Sequence, residues 1–481
     1  MRDFKEADMK TYLKRAICLL LVFCLSLGGV WYIDRVLRLK RNDGILTMQN
    51  FYRQPKDSVD VLLIGNSHSG INIDTATLWN EYGIAAYNLW GGVQPLWNSY
   101  HFLVEALKYQ RPKVVVLEIT ASSSDYEYSE DQNRLKNIAG MKLSKNKIEA
   151  VRASAPEDSR LNLLLGLPLY HGRFSEVNEE DFENFPWSEG LENYKGSYLL
   201  YGVGNYRFES AEGVTAKRDI MDKEKQYLYK CISLCRNEDI PLVLLKTPAL
   251  ERTWEQEVYN TVAEIAEIDS LPFINMNLMD DTVGITENDW SLDRHMNGSG
   301  ARKVASYLGK YLAENYAVPD RRGDEKYASW EVNAHNVNND YLAVIEEAPD
   351  YFDELRDRKL SLVLIKNSPW EESEEYLELR KMLLSLGIDE KRLDAKERGV
   401  WLIGDNVSPA SADGEVYSTE LDGKPLEVNF EYQTVSHGGK QLTWFGTSDI
   451  LCVVCDTYTH EVVDIVGFSH GHHYRSDRAE E

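Results

Sequence analysis

A single uncharged apolar run near the N-terminus constrains the fold of this chain more than any other feature. Residues 16–33 read AICLLLVFCLSLGGVWYI, and 18 residues without a charge are just enough to cross a bilayer as one helix. The rest of the 481 residues contains no second run of this kind. The sequence therefore predicts one transmembrane segment at 16–33 and one large aqueous body beyond it.

The charges that flank this run do not decide its orientation. Basic residues stand on both sides of it, so the positive-inside rule is nearly balanced. They are Arg2, Lys5, Lys10, Lys14 and Arg15 before the run, and Arg35, Arg38, Lys40 and Arg41 after it. Because the run lacks a convincing small-x-small cleavage site, we expect an uncleaved signal anchor.

Beyond the anchor, short apolar strands alternate with longer segments of helical spacing. The predicted strands are 59–65, 114–119, 241–245 and 272–276, and the predicted helices are 96–109, 219–236, 251–268 and 299–314. This alternation predicts an α/β domain over 50–318, with a parallel sheet covered by helices on both faces. The segment 121–218 is long, aromatic and polar, and it interrupts the alternation of strands and helices, which indicates an inserted lid or cap.

A polar, charged stretch at 318–326 marks a domain boundary. Residues 330–470 beyond it are predicted to form a separate α+β domain, in which 450–455 and 462–466 are the last strands. The whole chain is strongly acidic, with a formal net charge of −25. Such a chain repels phosphate backbones, which argues against general nucleic-acid binding.

The candidate nucleophile is Ser67, which directly follows the first predicted strand. Ligands of an open parallel sheet bind at the carboxyl ends of its strands, and a serine there needs a base to become nucleophilic. His295, just before the last helix of the domain, can accept the proton of Ser67, and Asp293 can orient the imidazole. The side chain of His68, although next to the nucleophile, is expected to point elsewhere.

The chain from about 55 to 317 resembles the SGNH/GDSL hydrolase superfamily. Gly65-Asn66-Ser67 stands in place of the Gly-Asp-Ser block, and the segment 87–94, YNLWGGVQ, resembles the block whose glycine N–H binds the oxyanion. The segment 293–297, DRHMN, resembles the Asp-x-x-His block, with the aspartate one residue nearer to the histidine than usual.

This resemblance implies a flavodoxin-like three-layer sandwich and a triad of Ser67, His295 and Asp293. It also implies an oxyanion hole made by the N–H groups of Ser67 and of Gly92, with Gly91 as the alternative to Gly92. The shifted spacing puts the role of the aspartate in question more than that of the histidine.

The Gly-x-Asn-Asp block of the superfamily is absent, because the segment 116–121, VLEITA, follows the strand in its place. In this the chain resembles the membrane-anchored branch that includes the D-alanine-transfer protein of teichoic acid modification and the alginate O-acetylation proteins. That branch implies a cytoplasmic segment at 1–15, a single anchor in the cell membrane and an extracytoplasmic catalytic body. It also implies a membrane-bound O-acyltransferase as a possible partner that supplies acyl groups.

Several polar residues are candidates for a substrate pocket, and each has a structural alternative. The segments 167–174, LPLYHGRF, and 245–248, LKTP, resemble parts of bacterial cell-surface polysaccharide proteins. The inserted pair His171 and Arg173 would bind an anionic polymer or a carboxylate, or else pin the inserted segment in place. The candidate pocket residues are Asn66, Asn88, Glu118, His171, Arg173 and Lys246.

The domain at 330–470 resembles domains of the interleukin-like EMT inducer type, a small lectin-like α+β fold. The resemblance lies in the segments 351–365, 383–387 and 400–404 and in the strand pair 450–456 and 462–468. That pair comes last in this sequence, whereas the animal domains have it first, which would be a circular permutation. The resemblance implies glycan binding, and a packing or oligomerisation role is the alternative.

The sequence thus predicts an extracytoplasmic serine esterase or O-acyltransferase that acts on acyl esters, of acetyl type, of a cell-surface polysaccharide. Water as the acceptor gives hydrolysis, and a sugar hydroxyl gives transfer. Neither a cofactor nor a metal is expected. The alternative is a non-catalytic glycan-binding or scaffold protein of an exopolysaccharide assembly system, which the missing asparagine and the shifted aspartate favour.

Overall fold

The structure is a computed structural model of the 481-residue chain. It divides into two compact units, Met1–Ala334 and His335–Glu481, which are described separately. The residues that the structure describes are 2–38, 43–126, 131–165, 170–183, 195–204, 211–250, 252–292, 295–345, 348–356, 360–366, 374–388, 390–393, 399–403, 408–410, 416–442, 450–469 and 472–475.

The first unit begins with one long helix, α1, at Arg2–Leu37. Its stretch Thr11–Leu37, 27 residues, is long and apolar enough to cross a bilayer, and no part of that apolar window is buried inside the protein. The helix therefore extends beyond the predicted 16–33 at both ends. At its C-terminal end Arg38 pairs with Asp34 at 2.6 Å, an i,i+4 arrangement that supports the last turn.

The sheet of the first unit has five strands, all of them parallel. Its spatial order is β2-β1-β3-β4-β5, which is the order of flavodoxin-like doubly wound folds. The strands are β1 at Val61–Gly65, β2 at Ala86–Trp90, β3 at Val114–Glu118, β4 at Leu242–Lys246 and β5 at Phe273–Asn275. The predicted α/β class is therefore confirmed, and β2 is a strand that the sequence analysis did not recognise.

Helices cover both faces of this sheet, so that the unit has three layers. Every residue of β1 to β4 is buried, which requires apolar cover on each side. On one face Leu63 and Val116 pack with Leu308, which lies in the helix at Gly298–Asn315, in a single apolar core. Burying a side chain such as Leu63 stabilises the fold by about 1.5–3 kcal/mol.

The helices of the first unit fall into two groups along the chain. The first group is α2 at Asp43–Phe51, α3 at Ser67–Asn72, α4 at Thr75–Tyr82, α5 at Leu96–Ala106, α6 at Asp131–Ala139, α7 at Lys145–Ser154, α8 at Arg160–Leu165 and α9 at Glu179–Glu183. The second is α10 at Asp222–Asn237, α11 at Thr253–Ile268, α12 at Asp280–Val283 and α13 at Gly298–Asn315, followed by α14 at Ala328–Leu342, which runs into the second unit.

The inserted segment forms a small core of its own around the C-terminal end of α1. Leu37 of α1 and Ile45 of α2 pack there with Ile138, Val151 and Tyr170 of the insert. Further along, the insert passes close to the edge strand β2, where a Cβ on Gly196 would lie 1.8 Å from the carbonyl oxygen of Asn88. A glycine is therefore required at that crossing, because any side chain would collide with backbone.

The first unit extends to Ala334. Trp330 is fully buried, and its indole N–H donates to the carbonyl oxygen of Ala86 on β2 at 2.9 Å. Trp79 of α4 donates in the same way to the carboxylate of Glu331 at 2.6 Å. Residues 324–334 thus belong to the packing of the first unit.

In the part of the second unit that the structure describes there are two antiparallel sheets and three helices besides α14. Six strands have the order β15-β14-β13-β6-β7-β8, and four have the order β12-β11-β10-β9. The helices are α15 at Ala348–Arg356, α16 at Glu374–Ser385 and α17 at Glu390–Leu393, and the strands are β6 at Leu360–Lys366, β7 at Gly399–Ile403, β8 at Ser408–Ala410, β9 at Val416–Leu421, β10 at Lys424–Asn429, β11 at Thr434–His437, β12 at Lys440–Leu442, β13 at Ile450–Asp456, β14 at Glu461–Ser469 and β15 at His472–Arg475. The predicted α+β class is confirmed.

Candidate active site

The chain turns sharply between β1 and α3, and this turn presents Ser67. A Cβ on Gly65 would lie 2.7 Å from the Cβ of Glu118 and 2.9 Å from that of Ser69, so only glycine fits at the end of β1. Asn66 then caps α3, because its side-chain oxygen accepts the N–H of His68 at 2.9 Å. Ser67 is the first helical residue and is half-buried.

A second segment brings an imidazole to this serine. The Nε2 atom of His295 lies 2.9 Å from the Oγ atom of Ser67, although the two residues are 228 positions apart. With Nε2 as the acceptor, the Ser67 hydroxyl donates to it. This distance suits transfer of a proton from a nucleophile to a general base.

The backbone at His295 is fixed by hydrogen bonds. The N–H and the hydroxyl of Ser291 both donate to the carbonyl oxygen of His295, at 2.8 and 3.0 Å. Trp290 and Met296 form an isolated antiparallel bridge. Asn297 then caps α13, since its side-chain oxygen accepts the N–H of Gly300. His295 is thus held between its contacts with Ser291 and the start of a long helix.

A carboxylate that the sequence analysis did not single out, Asp289, anchors this loop. It accepts hydrogen bonds from the Lys303 ammonium at 2.7 Å, the Ser299 hydroxyl at 2.8 Å and the Thr286 N–H at 2.7 Å. Burial alone would raise the pKa of Asp289, but these hydrogen bonds outweigh it and hold the pKa below its ordinary value. Asp289 therefore remains ionised and ties the loop to α13.

The predicted third member of the triad, Asp293, lies outside the described residues, as does Arg294. Its role therefore stays a prediction.

A fully buried amide, Asn72, links the two segments of the site. Its nitrogen donates to the carbonyl oxygen of Pro248 at 3.0 Å, and its oxygen accepts the N–H of Met296 at 3.0 Å. It thereby connects α3, which carries the serine, to the loop that carries His295 and to the end of β4. The sequence analysis missed this residue, and the available signal was a polar side chain four positions after His68 on one helical face.

The ring of His68 does not point away from the site, contrary to expectation. It lies beside the ring of His295, with centroids 4.8 Å apart and planes tilted by 40°. Burial, and after it the charge of Lys246 and the neighbouring His295, hold the pKa of His68 well below its ordinary value. Two imidazoles therefore lie next to each other at the nucleophile, and His68 is neutral.

The backbone donors of the predicted oxyanion hole differ from each other. The N–H of Ser67 has no acceptor among the residues that the structure describes. The N–H of Gly92, by contrast, donates to the Asp43 carboxylate at 2.9 Å, and Lys136 lies 3.4 Å from the other oxygen of that carboxylate. In this arrangement the Gly92 donor is occupied, which leaves Gly91 as the glycine to consider.

Two buried ionisable residues end the central strands next to the turn. Glu118 at the end of β3 accepts the N–H of Thr120 at 3.1 Å, and Lys246 at the end of β4 donates to the Thr247 carbonyl oxygen at 2.6 Å. Burial raises the pKa of Glu118, against the opposing effects of the Lys246 charge and the Thr120 hydrogen bonds. Both residues lie at the carboxyl edge of the sheet that holds Ser67.

The remaining pocket candidates hold other parts of the unit together. Asn88 is fully buried on β2, where it accepts from the hydroxyl of Ser69 at 2.7 Å and donates to the Ser69 carbonyl oxygen at 2.6 Å. Arg173 donates to the Leu37 carbonyl oxygen at 2.6 Å and pairs with Asp181 at 3.2 Å, which ties the insert to the end of α1. His171 is exposed on the insert. The described contacts of these residues do not reach Ser67.

Comparisons with known proteins add little to this geometry. No family model matches the sequence, and no curated protein matches it. Among solved structures, the chain is similar to a Bacteroides fragilis protein named for an inferred acylhydrolase activity, with 10% identity, a TM-score of 0.29, and coverage of 56% of this chain and 95% of the other. It is also similar to the lipase/acylhydrolase from Enterococcus faecalis, with 10% identity, a TM-score of 0.26, and coverage of 54% and 98%. Such low values leave strand order and side-chain geometry as the basis for a functional conclusion.

Proposed function

We propose that this protein is a serine esterase or O-acyltransferase that acts on acyl esters of a cell-surface polysaccharide. The observation that carries the proposal is the 2.9 Å approach of Ser67 Oγ to His295 Nε2. It occurs at the carboxyl end of β1, beside the point where the strand order reverses between β1 and β3. Open α/β sheets bind their ligands at that point.

The pair can carry out acyl transfer in two half-reactions. His295 Nε2 takes the hydroxyl proton of Ser67 while Oγ attacks the acyl carbon, and the carbonyl oxygen becomes an oxyanion. The Ser67 N–H is a donor for that oxyanion. The intermediate then collapses, the bond to the leaving alcohol breaks, and the imidazolium gives its proton to the alcohol oxygen. An acyl-serine remains.

The acceptor of the second half-reaction decides the product. Water, deprotonated by the same imidazole, gives a free carboxylic acid, whereas a sugar hydroxyl gives a new ester; in either case the serine hydroxyl is restored. The apolar helix Thr11–Leu37 and the resemblance to the membrane-anchored branch support an enzyme whose site lies outside the cytoplasm. A membrane-bound O-acyltransferase would then be the partner that supplies acyl groups, and Asp293 would orient His295.

Kinetics on a model ester test this proposal. Purified protein should hydrolyse p-nitrophenyl acetate, and Ser67→Ala should abolish turnover above the uncatalysed rate. The matched control is Ser233→Ala, an exposed serine on α10, which should retain wild-type turnover. Turnover that survives in Ser67→Ala at the level of the Ser233→Ala control would refute the assignment of the nucleophile.

One observation favours the non-catalytic alternative. The N–H of Gly92 is occupied by Asp43, so a predicted oxyanion donor is engaged with the protein itself. A glycan-binding scaffold would bind its polymer without any change in acylation. The acyl content of the polymer from cells that carry Ser67→Ala separates the two functions. If the protein is an enzyme, this acyl content differs from that of wild-type cells, and if the protein is a scaffold, it does not.

A further inference from the structure

His68 lies in the site, yet the mechanism above gives it no task. Its ring is half-buried and lies beside that of His295, the base, with the ring centroids 4.8 Å apart. It follows the nucleophile directly in the chain, and its backbone N–H is already used by the Asn66 cap. What remains for chemistry is the imidazole ring.

The hydrogen bonds of Asn72 fix which ring nitrogen carries the proton. The Met296 N–H can only donate and the Pro248 carbonyl can only accept, so the Asn72 oxygen faces the former and its nitrogen the latter. The same amide nitrogen lies 3.2 Å from His68 Nδ1 and equally far from the Thr247 hydroxyl oxygen. Because an NH₂ group can only donate, a proton on Nδ1 would set two donors against each other, and a neutral His68 therefore carries its proton on Nε2.

That Nε2–H group is a donor without an acceptor among the residues that the structure describes. A polar group in a half-buried ring normally finds a partner, either in the protein or in a ligand. The ring of His68 lies beside that of a base whose Nε2 is 2.9 Å from the serine oxygen. An acyl group bound at Ser67, the preceding residue, is therefore the candidate partner for this N–H group.

We propose that the Nε2–H group of His68 is a catalytic donor to the oxyanion formed at Ser67, in addition to the Ser67 N–H group. The inference rests on the proposed function, since without acyl transfer there is no oxyanion. His68 neither gains nor loses a proton in the reaction. It makes a hydrogen bond that strengthens as charge develops on the carbonyl oxygen and weakens when the intermediate collapses.

The surroundings of His68 suit a neutral donor. Among the residues that the structure describes, the charged and titratable groups that act on it are Lys246 and His295, and both of them oppose its protonation, in addition to burial. A neutral imidazole does not compete with His295 for the serine proton, because its Nδ1 is held by Asn72. The site therefore combines one imidazole that accepts a proton with one that only donates a hydrogen bond.

The test replaces the imidazole of His68 by a side chain that has an N–H donor and, in a second variant, by one that has none. His68→Gln retains an N–H group of similar reach, and His68→Leu removes it at similar volume. On p-nitrophenyl acetate, His68→Leu should lower kcat by about 10²–10³-fold, the usual loss for one oxyanion donor, with little change in KM. The kcat of His68→Gln should be at least about tenfold higher than that of His68→Leu. His460→Leu, an exposed histidine of the second unit, is the matched control and should leave kcat unchanged.

The outcomes separate this inference from the proposed function. Equal kcat values in His68→Gln and His68→Leu at equal melting temperatures would overturn the donor role, because a purely structural loss does not depend on an N–H group. Wild-type kcat in His68→Leu would overturn it as well, while leaving the Ser67 mechanism intact. If the wild type itself shows no turnover that depends on Ser67, the proposed function fails first, and the role of His68 fails with it.

Discussion

The site around Ser67 and the central strand β13 of the second unit are both buried, but the side chains buried there differ in kind. In β13 all seven residues are buried, and six of them are Ile, Leu, Val or Cys. At the carboxyl edge of the first sheet, the buried groups are instead Asn72, Glu118, Lys246 and Asp289, each held by hydrogen bonds.

The difference follows from what buried polar groups require. A buried amide or charge is costly unless its hydrogen bonds are satisfied, so a chain that keeps several in one place has fixed them in defined positions. Defined positions are what a proton transfer between Ser67 and His295 needs. The first six residues of β13 stabilise its sheet by apolar contact, and its one buried carboxylate, Asp456, stands at the end of the strand.

The largest effect is expected at the base. His295→Ala should lower kcat on p-nitrophenyl acetate by on the order of 10⁴–10⁶-fold, because the neutral serine hydroxyl is a poor nucleophile without a proton acceptor. The melting temperature should change little. A loss below about tenfold would mean that His295 is not the base, whatever its distance from Ser67.

A smaller effect on rate is expected at the amide that links the two segments. Asn72→Ala should lower kcat by on the order of 10²-fold, since small displacements of reacting groups cost about that much, and it should destabilise the first unit by about 1–3 kcal/mol. Asn315→Ala, an exposed asparagine on α13, is the control. Full activity in Asn72→Ala would show that the two segments hold their positions without it.

The opposite pattern is expected in β13. Leu451→Ala should destabilise the second unit by about 2–5 kcal/mol, because it leaves a cavity in a packed core, and kcat on the model ester should stay at the wild-type value. Leu377→Ala, at an exposed leucine of α16, should lower the free energy of unfolding by less than about 0.5 kcal/mol. Chemical denaturation and esterase assays of the same samples measure both quantities. Loss of kcat in folded Leu451→Ala would break the distinction between the two regions.

The smallest effect is a pH dependence at the end of β13. Burial alone would raise the pKa of Asp456, but hydrogen bonds from His335, Asn339 and the Tyr458 N–H outweigh it and lower the pKa to about 2 from an ordinary 3.8. A carboxyl with a lowered folded-state pKa stabilises the fold above its unfolded pKa, and this contribution is lost as the pH falls through the folded value. The stability gap between wild type and Asp456→Asn should therefore narrow from pH 5 to pH 2. A constant gap would contradict the shift.

The sequence predicted the regular parts of the fold because apolar periodicity determines them. The strands β1, β3, β4 and β5 lie within a residue or two of their predicted bounds, since each consists mainly of consecutive apolar residues. The strand β2 was missed because Asn88 stands at its centre, and the double hydrogen bond of Asn88 to Ser69 makes a buried amide acceptable there. The contact of Trp330 with β2 has no local signal in the sequence.

The site was predictable where topology alone positions residues. Ser67 follows β1 and His295 precedes α13, and parallel strand order brings such ends to one edge of the sheet. The orientation of His68 was not predictable, because it depends on a six-residue helix that begins at the nucleophile itself. The engagement of Gly92 by Asp43 depends on how α2 packs against the β2 loop, which the spacing of residues does not encode.

The most direct test of the central claim is to trap the covalent intermediate. Wild-type protein treated with a fluorophosphonate, which reacts with activated serines, should carry a single adduct on the peptide that contains Ser67, as read by peptide mass spectrometry. Labelling should disappear in Ser67→Ala and fall strongly in His295→Ala, since the base activates the hydroxyl. An adduct on another serine, or undiminished labelling in Ser67→Ala, would contradict the assignment of this corner of the sheet as a serine-based active site.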